Sequence, residues 1–273
     1  MSSHDVFNRA GSYDQYVGRW SSQLAPVFIS WLGVAPGAEW LDVGCGTGAL
    51  TEAILAAGEP SRIAGIDPSE TFISDATARI RDERVSLAVG SAMELGFEDH
   101  EFDAAVAALV LNFVPDPSRA VREMSRVVRR AGIVGAYVWD YAGDMRMMRV
   151  FWDAAVDLDP SAAPLDEGVR FTICNPDALR GVFEDAGLNS VAINPLDCEM
   201  TFADFDDYWN PFLGGQAPAP AYAMSLNELS RQRLRDLIRS RLPIAPDGTI
   251  RLVSRSWGVK GIVPGARTAV RPA

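Results

Sequence analysis

Residues 40–48 read Trp-Leu-Asp-Val-Gly-Cys-Gly-Thr-Gly, and this run decides the fold. A short apolar strand ends in an acidic residue, three glycines alternate with small residues, and a helix-like run follows at Ala49–Ala57. Gly44, Gly46 and Gly48 lack a Cβ, so a ligand can come close to the backbone there. A helix start behind them leaves backbone N–H groups without intrahelical partners. Together these features predict a nucleotide-sized pocket at the tip of a strand.

Working outward, Arg62–Asp67, Val85–Val89, Phe102–Leu111 and Gly132–Trp139 read as further strands. Helical runs at Ser69–Asp82 and Pro117–Val128 lie between them, the first opened by Pro68. Strands that alternate with helices predict a parallel sheet covered on both faces. Residues 12–32 carry Tyr13, Tyr16, Trp20, Leu24 and Phe28 at helical spacing and predict a helical lead-in. In the second half, Phe151–Leu158, Pro176–Ala186, Asp204–Phe212 and Leu226–Leu242 predict helices. Leu188–Phe202 and Thr249–Val263 predict closing strands, and residues 213–220 read as a flexible connector. The expectation is an α/β, Rossmann-like, doubly wound, mostly parallel seven-stranded sheet. It divides into an N-terminal helical lid over 1–35 and a main domain over 36–273, with helical cap segments at about 141–175 and 203–245.

Composition narrows the function. The 273 residues are 48% hydrophobic, enough for a large core, and no apolar run reaches the roughly 18 residues of a bilayer span. Met1–Arg9 is polar and lacks a signal-peptide core, so a cytoplasmic location is expected. Cys45, Cys174 and Cys198 form no CxxC pair, and with only His4 and His100 besides, neither a disulfide framework nor a His/Cys metal site is expected. The net charge of −11 argues against nucleic-acid binding. That charge is uneven: from residue 229 onward ten Lys/Arg face two Asp/Glu. Either this is a solvated face balancing an acidic body, or it attracts an anionic substrate or the acidic surface of a second copy in a homodimer.

The ligand class follows from two carboxylates. Ala49 stands three residues after Gly46, so glycine spacing alone does not exclude a dinucleotide. Asp42, two residues before the first glycine, would repel a pyrophosphate and attract an ammonium. Asp67 ends the second strand 23 residues after Gly44, where an acid accepts hydrogen bonds from ribose hydroxyls. No Walker lysine follows the glycines. A ribose, a cation and no diphosphate describe S-adenosylmethionine.

The runs Leu41–Gly48, Gly65-Ile66-Asp67-Pro68-Ser69, Phe102-Asp103 and Leu111-Asn112-Phe113-Val114-Pro115-Asp116 resemble the class I S-adenosylmethionine-dependent methyltransferases. The closest likeness is to the small-molecule group that includes ubiquinone and menaquinone biosynthesis types, over roughly residues 36–140. The resemblance implies that Gly44, Cys45 and Gly46 pass under the methionine part of the cofactor, with Asp42 near its ammonium. It implies that Asp67 holds the ribose, that Pro68 and Ser69 border the adenine, and that Ser91, Ala92 and Met93 frame its far edge. Ala107 would line the methionine tail, and Tyr16 and Arg19 would form a lid, Arg19 pairing with the cofactor carboxylate. Two departures stand out: Ser91 replaces the usual acid after the third strand, and Asn112-Phe113 replaces a frequent histidine.

The resemblance implies an enzyme that transfers a methyl group in line to a small, apolar or aromatic acceptor. Tyr16, Asn112 and Asp140 are the candidate catalytic residues by position, with no convincing dedicated base among them. Trp152, Phe171, Tyr208, Trp209, Phe212 and Tyr222 suit either an apolar acceptor pocket or an ordinary core. Two other readings stay open at this point: a nicotinamide-dependent oxidoreductase on a similar fold, and a non-catalytic protein that binds S-adenosylmethionine.

Overall fold

The structure, a computed structural model, describes residues 19–215 and 217–265. A seven-stranded sheet runs through its centre, in the order β3-β2-β1-β4-β5-β7-β6. The strands are β1 Glu39–Val43, β2 Arg62–Asp67, β3 Val85–Val89, β4 Phe102–Ala108, β5 Val128–Trp139, β6 Asn189–Phe202 and β7 Ile250–Ile262. β1 to β5 are parallel, while β7 is antiparallel to both β5 and β6. The expected fold class is what is found. Helix α1 spans Arg19–Leu32, α2 Ala49–Ala57, α3 Glu70–Arg79 and α4 Pro117–Val127. The chain walks outward through β2 and β3, then restarts beyond β1 at β4. Right-handed crossovers therefore put α2 and α3 on one face and α4 on the other. The reversal between β1 and β4 is the switch point at which ligands bind in such sheets.

Sequence explains the central strands. β1 and β2 are buried on both faces (Trp40, Leu41, Val43, Ile63, Ala64, Ile66), as a covered parallel sheet requires. Helix α1 buries Leu24, Phe28 and Leu32. Phe28 and Leu32 crowd the Gly135 backbone of β5 so closely that a Cβ there would lie 2.6 Å from Leu32 Cδ2. Residues 19–35 of the expected lid thus form a packed layer of the body, and residues 1–18 lie outside the described residues.

Between β5 and β6 lie α5 Arg146–Leu158, a 3₁₀ turn at Pro160–Leu165, α6 Glu167–Arg170 and α7 Pro176–Asp185. Between β6 and β7 lie α8 Phe205–Trp209, a 3₁₀ turn at Asn210–Leu213, α9 Pro218–Ser225 and α10 Glu228–Arg241. The expected connector over 213–220 is shorter than read, because Pro218 opens α9 at a position where its missing N–H costs nothing. The aromatic residues of this insert resolve into a core. Phe151 stacks on Phe212 at 4.6 Å, Trp152 contacts Tyr222 at 5.6 Å, and the Tyr208 hydroxyl donates to the Met147 carbonyl. Trp152, Tyr208 and Phe212 are fully buried. They hold the insert together rather than line an opening.

β7 pairs with β5 only from Ile262 to Ser256, whereas its pairing with β6 continues to Ile250. A two-stranded ribbon therefore overhangs the carboxyl edge of the sheet. The insert helices α5 and α10 pack beside it.

Candidate active site

The glycine loop is held in place by its own backbone. Gly44, Gly46 and Gly48 have φ of +72°, +54° and +90°. A Cβ on Gly44 would lie 2.5 Å from Val110 Cγ2, and one on Gly48 would lie 2.5 Å from Ile80 Cδ1, while nothing stands within 4 Å of the corresponding position on Gly46. Space opens over the middle glycine alone. The amides of Gly44 and Cys45 donate to the Ile66 carbonyl, Gly48 to the Cys45 carbonyl, and Gly46 to Asp67 Oδ2 at 3.0 Å. Because these N–H groups turn inward, the loop offers no ready nest for a diphosphate.

Asp42 is fully buried below the loop. Its Oδ2 accepts the Thr51 hydroxyl at 2.7 Å, and its Oδ1 has no partner among the described residues. Burial pushes the carboxyl up from 3.8 to about 7, against the hydrogen bond from Thr51, with the charge of Asp67 adding to the rise. An unpartnered buried carboxylate oxygen is costly. It is also the acceptor that an ammonium would satisfy.

Asp67 is 8% exposed at the end of β2. Its Oδ1 accepts the Ser69 amide at 2.9 Å and its Oδ2 the Gly46 amide. Each oxygen keeps a lone pair for a further donor. Burial raises its pKa, opposed by those two amide bonds. The α3 cap is Ser69, whose Oγ accepts from the Phe72 amide, so Asp67 is free of that duty. Pro68 is exposed beside it. Cys45 is buried and its thiol is pushed far up by burial, so it acts as a small packing residue.

After β3, the Ser91 Oγ accepts the Met93 amide at 3.2 Å, and Ala92 packs on the core. Sequence reading missed what fixes this segment. Arg126 donates to the carbonyls of Leu95 and Phe97, each at 2.8 Å, and Glu123 accepts the Leu95 amide at 2.8 Å. Arg79 was missed as well: it donates to the Thr47 carbonyl and pairs with Glu52, tying α3 to the glycine loop. Its spacing from the glycines gives no signal, because the contact comes from a different helix.

Other expected positions fare differently. Ala107 is fully buried within the sheet, and Ala108 is the half-buried residue at the end of β4. The strand expected to reach Leu111 stops at Ala108 because Leu109 turns to a φ of +58°. Arg19 Nη1 pairs with Asp207 at 2.9 Å and the guanidinium lies over Trp20 and Phe202, while its Nε and Nη2 are buried with no partner among the described residues. Tyr16 lies outside the described residues. Asp140 is buried and accepts the Asp144 amide at 2.9 Å, closing the turn after β5; a Cβ on Gly143 would collide with its carboxylate. The carboxylate thus stabilises the turn. Asn112 is half-buried with a buried Nδ2 that has no partner among the described residues. Beside it Phe113 meets Phe171 at 5.2 Å, and Phe171 meets Tyr141 at 5.4 Å. This trio joins the loop after β4, the turn after β5 and the insert.

The family described as "Methyltransferase domain" matches residues 41–135, the segment from β1 through the first part of β5. The match takes in the glycine loop, Asp42 and Asp67. Demethylmenaquinone methyltransferase of Bacillus cereus is 35% identical over 135 residues, which cover 48% of this chain and 55% of that protein. The chain therefore spans about half the length of the curated relatives it matches. Among solved structures, the YcgJ protein of Bacillus subtilis has a TM-score of 0.58 at 17% identity, covering 89% of this chain and 99% of that one. Haemonchus contortus phosphoethanolamine N-methyltransferase 2, solved with S-adenosyl-L-methionine, has a TM-score of 0.57 at 14% identity, covering 89% of this chain and 53% of that one. A [4+2]-cyclase, SpnF, has a TM-score of 0.57 at 20% identity, with 89% and 82% covered. These likenesses establish the fold of the methyltransferase domain. The cyclase among them illustrates that the fold alone does not fix the reaction. None of these matches supports the nicotinamide-dependent reading.

No helix among the described residues is long and apolar enough to cross a membrane, and the described residues hold no cluster of three or more His, Cys, Asp or Glu fit for a metal.

Proposed function

We propose that this protein is an S-adenosylmethionine-dependent methyltransferase that acts on a small, apolar or aromatic acceptor. The observation that carries the reading is the buried Asp42 Oδ1, an acceptor without a donor among the described residues, under a glycine loop whose amides turn inward. An ammonium fits this arrangement and a diphosphate does not. Asp67 supplies the remaining lone pairs for ribose hydroxyls, and the open space over Gly46 admits the ligand. Pro68, Ser69, Ser91, Ala92 and Met93 border the adenine in this reading. The cofactor, when bound, supplies a methyl group already activated by a positive sulfur.

The chain then has to align and desolvate. Alignment of two reactants contributes about 7–11 kcal/mol of barrier reduction when geometry is good. Asn112 Nδ2 is the donor placed to hold an acceptor oxygen, and Phe113, Tyr141 and Phe171 present the apolar wall that excludes water. An amide cannot remove a proton at neutral pH, so the reading favours acceptors that enter ionised or need no deprotonation. A homodimer is compatible with this reading and is not required by it.

Calorimetry with S-adenosylmethionine, S-adenosylhomocysteine and NAD is the direct test. Binding of NAD without binding of the sulfonium compounds refutes the proposal. Turnover on a panel of phenols, quinols and aromatic acids tests catalysis, and cofactor binding with no product from any acceptor leaves a binding protein in its place.

A further inference from the structure

The basic C-terminal stretch singled out in the sequence divides in two. On α10, Arg235 pairs with Asp206 and lies over Phe205, Arg239 lies over the same ring, and Arg231 donates to the Leu226 carbonyl. Those arginines are part of the packing. Arg241, Arg251 and Arg255 do something else: with Arg146 they line a cavity of about 410 Å³ against the overhanging ribbon. We propose that this cavity is a binding site for a small phosphate-bearing molecule, separate from the glycine loop. The inference does not rest on the methyl-transfer reading.

The charges around the cavity are not balanced. Its two carboxylates, Asp144 and Asp197, are both held by Arg255, which forks onto Asp197 at 2.7 and 2.9 Å and reaches Asp144 at 3.1 Å. Arg241 pairs with Asp157. Among the described residues, Arg146 and Arg251 make no ion pair, although Asp247 lies near enough to feel the charge of Arg251. Two guanidiniums with all their donors available thus face a concavity of the size that small ligands occupy. A guanidinium presents a fork matched to the oxygens of a phosphate.

Arg146 opens α5, a helix of 13 residues whose first amides are largely taken by the Asp144 and Met145 carbonyls, so the guanidiniums rather than the helix end supply the attraction. Val150 and Leu252 supply a buried apolar floor for the rest of the ligand.

The cavity adjoins the turn that carries the acceptor wall. Met145 bridges to Ser254, and the Arg255 amide donates to the Asp144 carbonyl at 3.0 Å. Tyr141, three residues earlier, touches Phe171. An occupant gripping Arg146 and Arg251 therefore bears on the same turn from its far side.

The test is calorimetry with pyrophosphate and with inorganic phosphate at low ionic strength, on the wild type and on Arg146→Gln/Arg251→Gln. Arg122→Gln/Arg130→Gln removes the same charge from exposed positions far along the chain and serves as control. Saturable 1:1 binding to the wild type and the control, weakened at least tenfold in the first double variant, is expected. Arg251→Gln alone is expected to show a smaller loss in the same direction. Unfolding midpoints establish that each variant is folded. No saturable heat from either anion, equal weakening in both double variants, or binding of heparin without binding of pyrophosphate each overturns the proposal.

Discussion

Replacing Asp42 with asparagine removes a charge that the ligand-free fold holds at a disadvantage. Burial raises the carboxyl from 3.8 to about 7, so the folded chain binds a proton more tightly than the unfolded chain. Stability contributed by the protonated form is then lost as pH rises from the unfolded value towards the folded one, and the full penalty stands above it. A shift of about three units at about 1.4 kcal/mol each amounts to about 4 kcal/mol at pH 8. The same linkage leaves about 2 kcal/mol at pH 5 and almost nothing below about pH 3.5. Asparagine has the same shape and can still accept the Thr51 hydroxyl. Without ligand, Asp42→Asn should therefore be the more stable protein at pH 8, with the gap narrowing at pH 5. Urea unfolding of both proteins at the two pH values measures it. Comparing variant with wild type removes the parallel contribution of Glu167, which both share. A gap of equal size at pH 5 and pH 8 would refute the reasoning. Binding runs the other way: S-adenosylhomocysteine should bind the variant more weakly, and wild-type binding at pH 6.5 should release a fraction of a proton, read as a buffer-dependent enthalpy.

The remaining predictions follow from the same contacts. Asp67→Ala strips the Gly46 and Ser69 amides of their acceptor and should cost about 2 kcal/mol of stability along with most of the cofactor affinity; an unchanged dissociation constant would place the ligand elsewhere. Gly44→Ala must hold φ at +72° and push into Val110, and should destabilise by about 3 kcal/mol, read by thermal unfolding. Glu167 is buried against the Trp152 indole and its carboxyl is pushed up to about 8 by burial, so Glu167→Gln should gain stability over the wild type as pH rises from 5 to 9; a constant difference contradicts this. Asn112→Ala should lower turnover while leaving S-adenosylhomocysteine affinity within twofold, since its free amide faces the acceptor in the proposed reading.

Much of the sheet was legible because strand and glycine-loop signals are local. β2 and β3 fall where apolar runs and flanking breakers put them, and Asp42 and Asp67 sit where two different strands bring them under one loop. What was not legible depends on distant partners. Arg19 reads as a lid cation by position, and the sequence gives no sign that Asp207, 188 residues away, takes one of its nitrogens. Asp140 reads as a candidate base at the carboxyl edge, and its bond from the Asp144 amide, which closes the turn, has no signal in the spacing. The insert aromatics could have lined a pocket or filled a core, and only the pairing of α5 with residues 208–222 decides for the core. Arg79 and Arg126 brace the loops from neighbouring helices, and no spacing rule in the sequence marks such braces.

The contact of Gly44 with Val110 has one more implication. In the proposed reading, the loop that holds the cofactor and the segment after β4 that meets the acceptor interlock at this point, methyl against bare backbone, with no slack between them. Neither can be retuned alone: a larger residue at 110 would displace the glycine, and any side chain at 44 would displace the valine. Diversification of acceptor preference in this chain is thereby channelled away from the interlock and into the helical insert, where Phe171 can be exchanged without disturbing the grip.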